Sequence, residues 1–374
     1  MRVIHLSKMI GVAGSEGHLL TLLPGLRARG VDVRLWVLVE PDTPLDELVA
    51  RVRALGVPAE RLTIRRDLDP ALLWRLTRRL RRERPDILHT HLIHADLYGV
   101  VAARLARVPH VVSSRHNDDR FRYRLPVRLL NRALWRGIDA GIAISGAIRD
   151  FSLRVEGAPA DRVHTVPYGL DPATIPAQPE ARAALRAALG LPADALLVGS
   201  VCRLVEQKGL IYALRGFAAV AGKVPQAHYV IAGDGPLRST LAAEARALGV
   251  GERVHFLGWR DNAHAVFAAL DVFLAPSLWE GFGLVFLEAM THRLPVISTT
   301  VSAIPEIVVD GETGWLVPPR DADALAGALR AALIDPQVRQ ARGANGRARL
   351  EAEFTVEAMV ERTLAVYRGV EARR

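Results

Sequence analysis

Two kinds of hydrophobic pattern alternate along the chain. Short apolar runs read as strands: RVIHLS, VDVRLWVLV, DILHTH, HVVSSR, AGIAIS and HTVPYG in the first half, then LLVGSV, AHYVIAGDG, RVHFLGW, DVFLAPS, LPVISTT and TGWLVP in the second. Between them lie segments such as GHLLTLLPGLRARG and LIYALRGFAAVAGKVP, whose apolar positions recur about every 3.6 residues and stop at glycine or proline. Strands alternating with helices imply βαβ units and parallel sheets. Two sets of about six strands predict an α/β chain of two doubly wound domains.

Length agrees, since 374 residues exceed what one hydrophobic core usually serves. The linker is expected at YGLDPATIPAQPEARAAL, from Tyr168, where three prolines crowd and strand patterning stops. Segment 354–370, FTVEAMVERTLAVYRGV, reads as a terminal amphipathic helix. Cys202 is the only cysteine, which rules out an intrachain disulfide and suits a reducing cytoplasm. MRVIHLSKMI reads as a strand and not as a signal peptide, and no apolar run approaches the ~20 residues that cross a bilayer. The formal charge of +9 is uneven: residues 1–170 hold 28 Lys+Arg against 18 Asp+Glu, whereas residues 171–374 hold 21 against 22. The basic excess therefore belongs to the first half and points to an anionic partner there.

Candidate chemistry gathers where predicted strands meet predicted helices. GVAGSEGHLL, with Gly14, follows the first strand; its glycines suit either a phosphate approaching a helix start or only a tight turn. Glu40, ending the second strand, keeps a nicotinamide-dinucleotide site open as a rival. VCRLVEQKG places Arg203 and Lys208 in one loop after a strand, where an Arg fork and a Lys point charge suit a diphosphate. AGDGPLR ends another strand at Gly233, explained by turn chemistry or by a ligand. In SLWEGFGLVFLEAM, Glu280 stands on a glycine turn and Glu288, eight positions on, lies about one helical turn inside the following helix, among Phe286, Leu287, Ala289 and Met290. The amides that open that helix can hold phosphate oxygens, Glu288 can reach a ribose diol, and its carboxylate needs a partner such as Arg203 or a bound hydroxyl. No His, Cys or Asp joins the two glutamates at ligand spacing, so no metal is expected there.

Other residues say less. His89 and His91 in HTH suit either acceptor contact or structure, and Trp74, Trp135 and Trp315 read as packing. The basic runs WRLTRRLRRERP (74–85) and RFRYRLPVRLLNRALWR (120–136) are either a solvated face or, for the second, an amphipathic surface for anionic lipid. No helix-turn-helix, zinc or single-strand-binding pattern accompanies them, so nucleic acid is not the expected partner.

Taken together, AGSEGHLL, SRHND, AISGAIRD, VPYGLD, AGDGPLR, HFLGW, SLWEGFGLVFLEAM and IPEIVVDGETGWLVPPRD resemble, in number, order and spacing, the glycosyltransferase 4 family of retaining glycosyltransferases. The resemblance implies the GT-B fold: an acceptor domain at 1–170 and a donor domain at 171–355, both Rossmann-like and facing across a cleft, with a helix at 356–374 returning to the first. It assigns Arg203 and Lys208 to the diphosphate of a UDP- or GDP-sugar and Glu288 to the ribose. Glu280 and the amides of Phe282, Gly283, Leu284 and Val285 fall to the sugar and phosphates, Arg260 to the base, and His116 of SRHND to the donor sugar. The implied activity is transfer of a hexose or N-acetylhexosamine to a saccharide or lipid-linked acceptor, in cell-surface glycan synthesis, without metal or other cofactor. The expected location is the cytoplasm, with peripheral attachment to the inner membrane face as the open alternative. A nucleotide-sugar epimerase and a Rossmann oxidoreductase are the alternatives. Tyr168, where VPNG is commoner, and Cys202, where a glycine usually precedes the arginine, depart from the pattern.

Overall fold

A computed structural model describes residues 1–9, 17–43, 45–65 and 68–373. The chain divides into two units, Met1–Gly169 with Thr355–Arg374, and Leu170–Phe354. Each is built on one parallel sheet with helices packed against it, the doubly wound α/β arrangement expected from the alternating pattern.

In the first unit the strands are β1 (Arg2–Lys8), β2 (Asp32–Val39), β3 (Ala59–Thr63), β4 (Ile87–His91), β5 (His110–Arg115), β6 (Ala140–Ala143) and β7 (Val163–Thr165). They stand in the order β3-β2-β1-β4-β5-β6-β7. The edge strand β3, AERLT, is missing from the apolar pattern. Glu60 and Arg61 are exposed on it, as an edge strand allows where a central one would not. Central strands such as β4 and β5 are buried along their whole length and read as continuous runs for that reason.

The second unit has β8 (Leu196–Val201), β9 (Ala227–Ala232), β10 (Val254–Gly258), β11 (Val272–Ala275), β12 (Val296–Thr299) and β13 (Gly314–Val317), ordered β10-β9-β8-β11-β12-β13. Its core packs Phe217, Tyr229, Leu274, Ile297, Leu325 and Leu329 between the sheet and the helices at Leu210–Ala221 and Ala322–Ile334. Full burial of side chains this size contributes roughly 1.5–3 kcal/mol each, which fixes the sheet firmly enough to position loops.

The segment expected as linker is not slack at its start. Tyr168 is buried, Gly169 lies so close to Thr355 O that a Cβ would meet it at 2.2 Å, and Leu170 N–H donates to Phe354 O. The terminal helix Val356–Glu371 belongs to the first unit. Val360 packs on Gly25 of the helix Leu19–Ala28, Glu361 pairs with Arg29, and Tyr367 is fully buried.

Candidate active site

In the second sheet the strand order reverses between β8 and β11, which lie side by side with Val272 beside Val198. At such a switch point ligands bind outside the carboxyl ends of the strands, among the loops that leave them. Those loops are 202–209 and 276–283, laced together by Leu278 N–H to Gln207 O (2.7 Å) and Gln207 Nε2 to Trp279 O (3.0 Å). Gly209, at φ +62°, makes the closest approach; a Cβ there would lie 2.0 Å from Pro276 O.

This lacing brings Lys208 Nζ within 2.5 Å of Glu280 Oε2, with both side chains largely buried. Two residues assigned from sequence to different parts of a ligand therefore form an ion pair. Each keeps capacity for a ligand, since an ammonium has three donors and a carboxylate about four lone-pair positions. Arg203, on the same loop, is exposed and makes no ion pair among the described residues. Beside them burial pushes the Cys202 thiol up to about 11 despite the nearby Lys208 ammonium, so it is not a nucleophile at neutral pH.

Glycines shape the remaining walls. Gly233, after β9, has φ +127°, and a Cβ would sit 1.9 Å from Cys202 O; the backbone alone requires glycine there. Gly283, at φ +89°, is the left-handed residue that starts the helix Leu284–Thr291. The first amides of that helix, at Leu284 and Val285, have no intrahelical acceptor by geometry, which leaves them for an anion. Phe282 contributes packing, its buried ring edge-on to Phe354 at 5.9 Å. Arg260 is exposed just beyond β10, beside Trp259.

Glu288 lies on the same helix, half-buried between the buried Leu287 and Ala289. Burial raises its carboxyl from 4.5 to about 7. The Arg203 partner expected from sequence is absent: no ion pair or hydrogen bond to the Glu288 carboxyl is present among the described residues. A half-buried acid without a protein partner is suited to a ligand that brings hydroxyls.

The first unit holds the other site residues. Gly14 lies outside the described residues. Glu40 pairs with Lys8 at 2.9 Å, which holds its carboxyl below the usual range. His116 is buried, with both ring nitrogens engaged: Nδ1 with Tyr168 OH at 2.5 Å and Nε2 with His91 Nδ1 at 3.0 Å. His89 and His91 are likewise buried and sit in a group with His5 and His18. Desolvation, then the neighbouring histidines, holds His5 down at about 3 and His89, His91 and His116 well below their ordinary value. The nitrogens of His5, His89 and His91, and of His18, His91 and His116, lie within 4.8 Å of one another, close enough for a metal ion. Desolvation first, then His18, Arg122 and Arg115, keep the His116 imidazole neutral; both arginines are themselves paired with Asp96 and Glu156.

Sequence reasoning missed His5, His18, Tyr168 and Tyr367. The sequence shows His5 only as a histidine within an apolar strand; that it meets His89, and Ser7 meets His91, comes from the register of β1 on β4, which the sheet sets. Two further expectations change. Arg122, read as part of a lipid-facing run, is buried against Glu156, with Arg115 bridging Glu156 and Asp96. Trp74, read as packing, is 61% exposed.

A family model described as "Glycosyl transferase 4-like domain" matches residues 13–169, and one described as "Glycosyl transferases group 1" matches residues 181–349. The alpha-D-kanosaminyltransferase of Streptomyces kanamyceticus is 29% identical, over 94% of this chain and 99% of its own length. The phosphatidyl-myo-inositol mannosyltransferase of Mycobacterium leprae is 30% identical over 87% and 85%. Among solved structures, Anabaena Alr3699/HepE in complex with UDP and glucose superposes with a TM-score of 0.86 at 22% identity, over 99% and 100%. With both halves matched and a mannosyltransferase relative at this identity, the chain belongs to the glycosyltransferase 4-type enzymes of the GT-B fold.

Proposed function

We propose that the protein is a retaining, metal-independent glycosyltransferase that moves a hexose or N-acetylhexosamine from a UDP- or GDP-sugar to a saccharide or lipid-linked acceptor. One observation carries the reading: at the β8/β11 switch point, exposed Arg203, the Lys208–Glu280 pair and the partnerless carboxyl of Glu288 lie on the two loops and the helix that follow these strands. Cations for a diphosphate and an acid for a diol are the groups a nucleotide-sugar requires. A relative whose name states UDP-Gal and a diphosphoundecaprenol acceptor is 27% identical over 98% of this chain, and supports the donor and acceptor classes.

In the proposed mechanism the bond from the anomeric carbon to the diphosphate oxygen breaks while the acceptor oxygen bonds on the same face. The acceptor proton passes to the leaving diphosphate oxygen, and configuration is kept. Arg203, Lys208 and the amides of Leu284 and Val285 stabilise the charge on the departing diphosphate, as a divalent metal does in other folds. Glu280 takes a sugar hydroxyl while paired with Lys208, Arg260 lies beside the base, and His116 contacts the donor sugar. Outside catalysis, the basic first unit docks on anionic membrane; no helix among the described residues is long and apolar enough to cross one.

The test is a thermal-shift screen of nucleotide-sugars followed by transfer assays with chelator present. A donor at ~100 times its dissociation constant adds ~2.7 kcal/mol of stability. Expected are stabilisation by one nucleotide class and an acceptor-dependent product with the donor's anomeric configuration. Isomerisation of the donor without acceptor identifies an epimerase, an inverted product refutes retention, and loss of activity with chelator refutes metal independence.

A further inference from the structure

The buried histidines form one continuous hydrogen-bonded chain. From Tyr168 OH it runs through His116 (Nδ1, 2.5 Å), His91 (3.0 Å) and His5 (2.9 Å) to Tyr367 OH (3.2 Å), then on to His89 (2.6 Å) and Ser114 Oγ (2.8 Å). All seven residues belong to the first unit, and Tyr367 comes from the terminal helix. A neutral imidazole has one N–H and one lone pair, so each ring passes its donor direction to the next. The whole chain therefore has two polarities. In one, His116 carries its proton on Nε2 and accepts from Tyr168; in the other, it carries it on Nδ1.

Tyr367 is where the two polarities are decided. Its single proton faces two imidazoles, and it donates to one and accepts from the other. The 2.6 Å contact with His89 Nδ1 is the length of an O–H donor, and the 3.2 Å contact with His5 Nε2 that of an N–H donor. The 2.5 Å contact between Tyr168 OH and His116 Nδ1 agrees, with the phenol donating. We propose that Tyr367 is a positioning residue for His116, setting through His5 and His91 that its proton sits on Nε2. The proposal rests on the reading above that His116 contacts the donor sugar: with its proton on Nε2 and donated to His91, Nδ1 is the acceptor that a sugar hydroxyl takes in place of Tyr168 OH. It explains why a terminal helix, far away in sequence, buries a tyrosine hydroxyl among histidines. Transition-metal binding by His18, His91 and His116 is the competing use of the same nitrogens. An ion there would take the lone pairs that the hydrogen-bonded chain uses, so the two uses exclude each other.

The experiment uses the full chain labelled with 15N-histidine, with His116 assigned through His116→Ala. Two-bond imidazole correlations report the tautomer of each ring. In wild type we expect His116 to be protonated on Nε2. Tyr367→Phe strands the Nε2–H of His5, and the His116 proton should move to Nδ1, three hydrogen bonds away. His5→Gln breaks the same path one link on and should give the same shift, which covers the case in which Tyr367→Phe does not fold. Turnover should fall about tenfold in Tyr367→Phe, the rate equivalent of one hydrogen bond, but not fall further when combined with His116→Ala. A folded Tyr367→Phe protein whose His116 tautomer is unchanged overturns the proposal. So does a stoichiometric transition metal in the purified protein. Wild-type activity in His116→Ala instead overturns the role given to His116, leaving the tautomer shift as the separate measure of the coupling.

Discussion

Glu288 is the residue whose environment makes the most quantitative statement about ligand binding. Burial lifts its carboxyl from 4.5 to about 7, so near neutral pH about half the molecules carry the proton. If a ribose diol donates to this group, it favours the carboxylate and returns the value toward the ordinary range. Nucleotide binding must then release protons: about 0.9 per site at pH 6, about 0.5 at pH 7 and about 0.1 at pH 8, taking a bound value near 4.5. The same shift fixes a stability trend for the free protein. The folded state holds the Glu288 proton more tightly than the unfolded chain, so this group's contribution is lost as pH rises from 4.5 through 7. That loss is on the order of 3 kcal/mol.

The assay is titration calorimetry with UDP- or GDP-glucose, whichever binds, in buffers of different ionisation enthalpy. A nucleotide-sugar has no diphosphate proton to exchange in this range, so the slope of apparent enthalpy against buffer enthalpy counts protons from the protein. Wild type should show the fall from pH 6 to pH 8, and Glu288→Gln should show a flat line with weaker binding. A wild-type enthalpy independent of buffer, or equal proton release in Glu288→Gln, refutes the ribose assignment.

Three further outcomes follow from the same geometry. Arg203→Ala should cut kcat/KM by about 10²-fold and leave Tm unchanged, because Arg203 is exposed and holds no structural ion pair; Lys208→Ala should lose activity to a similar degree and Tm as well, since it strands Glu280. Gly233→Ala should lower the melting temperature of the Leu170–Phe354 unit by roughly 4–8 °C, the equivalent of about 2 kcal/mol, because its Cβ would lie 1.9 Å from Cys202 O; an unchanged melt would show that the turn adapts. Replacing exposed Arg124, Arg132 and Arg136 by glutamine should weaken co-sedimentation with anionic vesicles by about 100-fold at ~1 kcal/mol per arginine, leaving donor affinity intact; a wild-type protein that stays in the supernatant at low salt refutes membrane docking.

The fold class was legible because central parallel strands are buried on both faces and so read as apolar runs, as in β4 and β11. Edge strand β3 was not, since exposure on its rim admits Glu60 and Arg61. In the site, Arg203, Lys208, Glu280 and Glu288 stood out as charges beside glycines at strand ends. Their pairing did not: whether Lys208 meets Glu280 depends on β8 lying next to β11, and strand order is a property of the sheet. The fate of the basic run 120–136 was hidden for a similar reason. Helical spacing cannot tell Arg122, which turns inward to Glu156, from Arg124, which stays in water.

The two sheets place chemistry by one rule. In the second, the order reverses between β8 and β11, and the loops that follow carry the cations and acids. In the first, it reverses between β1 and β4, and there the register sets His5 against His89 and Ser7 against His91. One group is charged and partly exposed; the other is buried, its histidines held neutral and hydrogen-bonded to one another. That difference suits two tasks. Binding a diphosphate needs charge that a ligand can reach, whereas aiming a single imidazole needs neighbours that hold its proton in place and carry no charge to compete with it. The terminal helix supplies the tyrosine that closes the second arrangement, so truncation before Tyr367 should disturb the histidine tautomers while leaving the Lys208–Glu280 pair as it is.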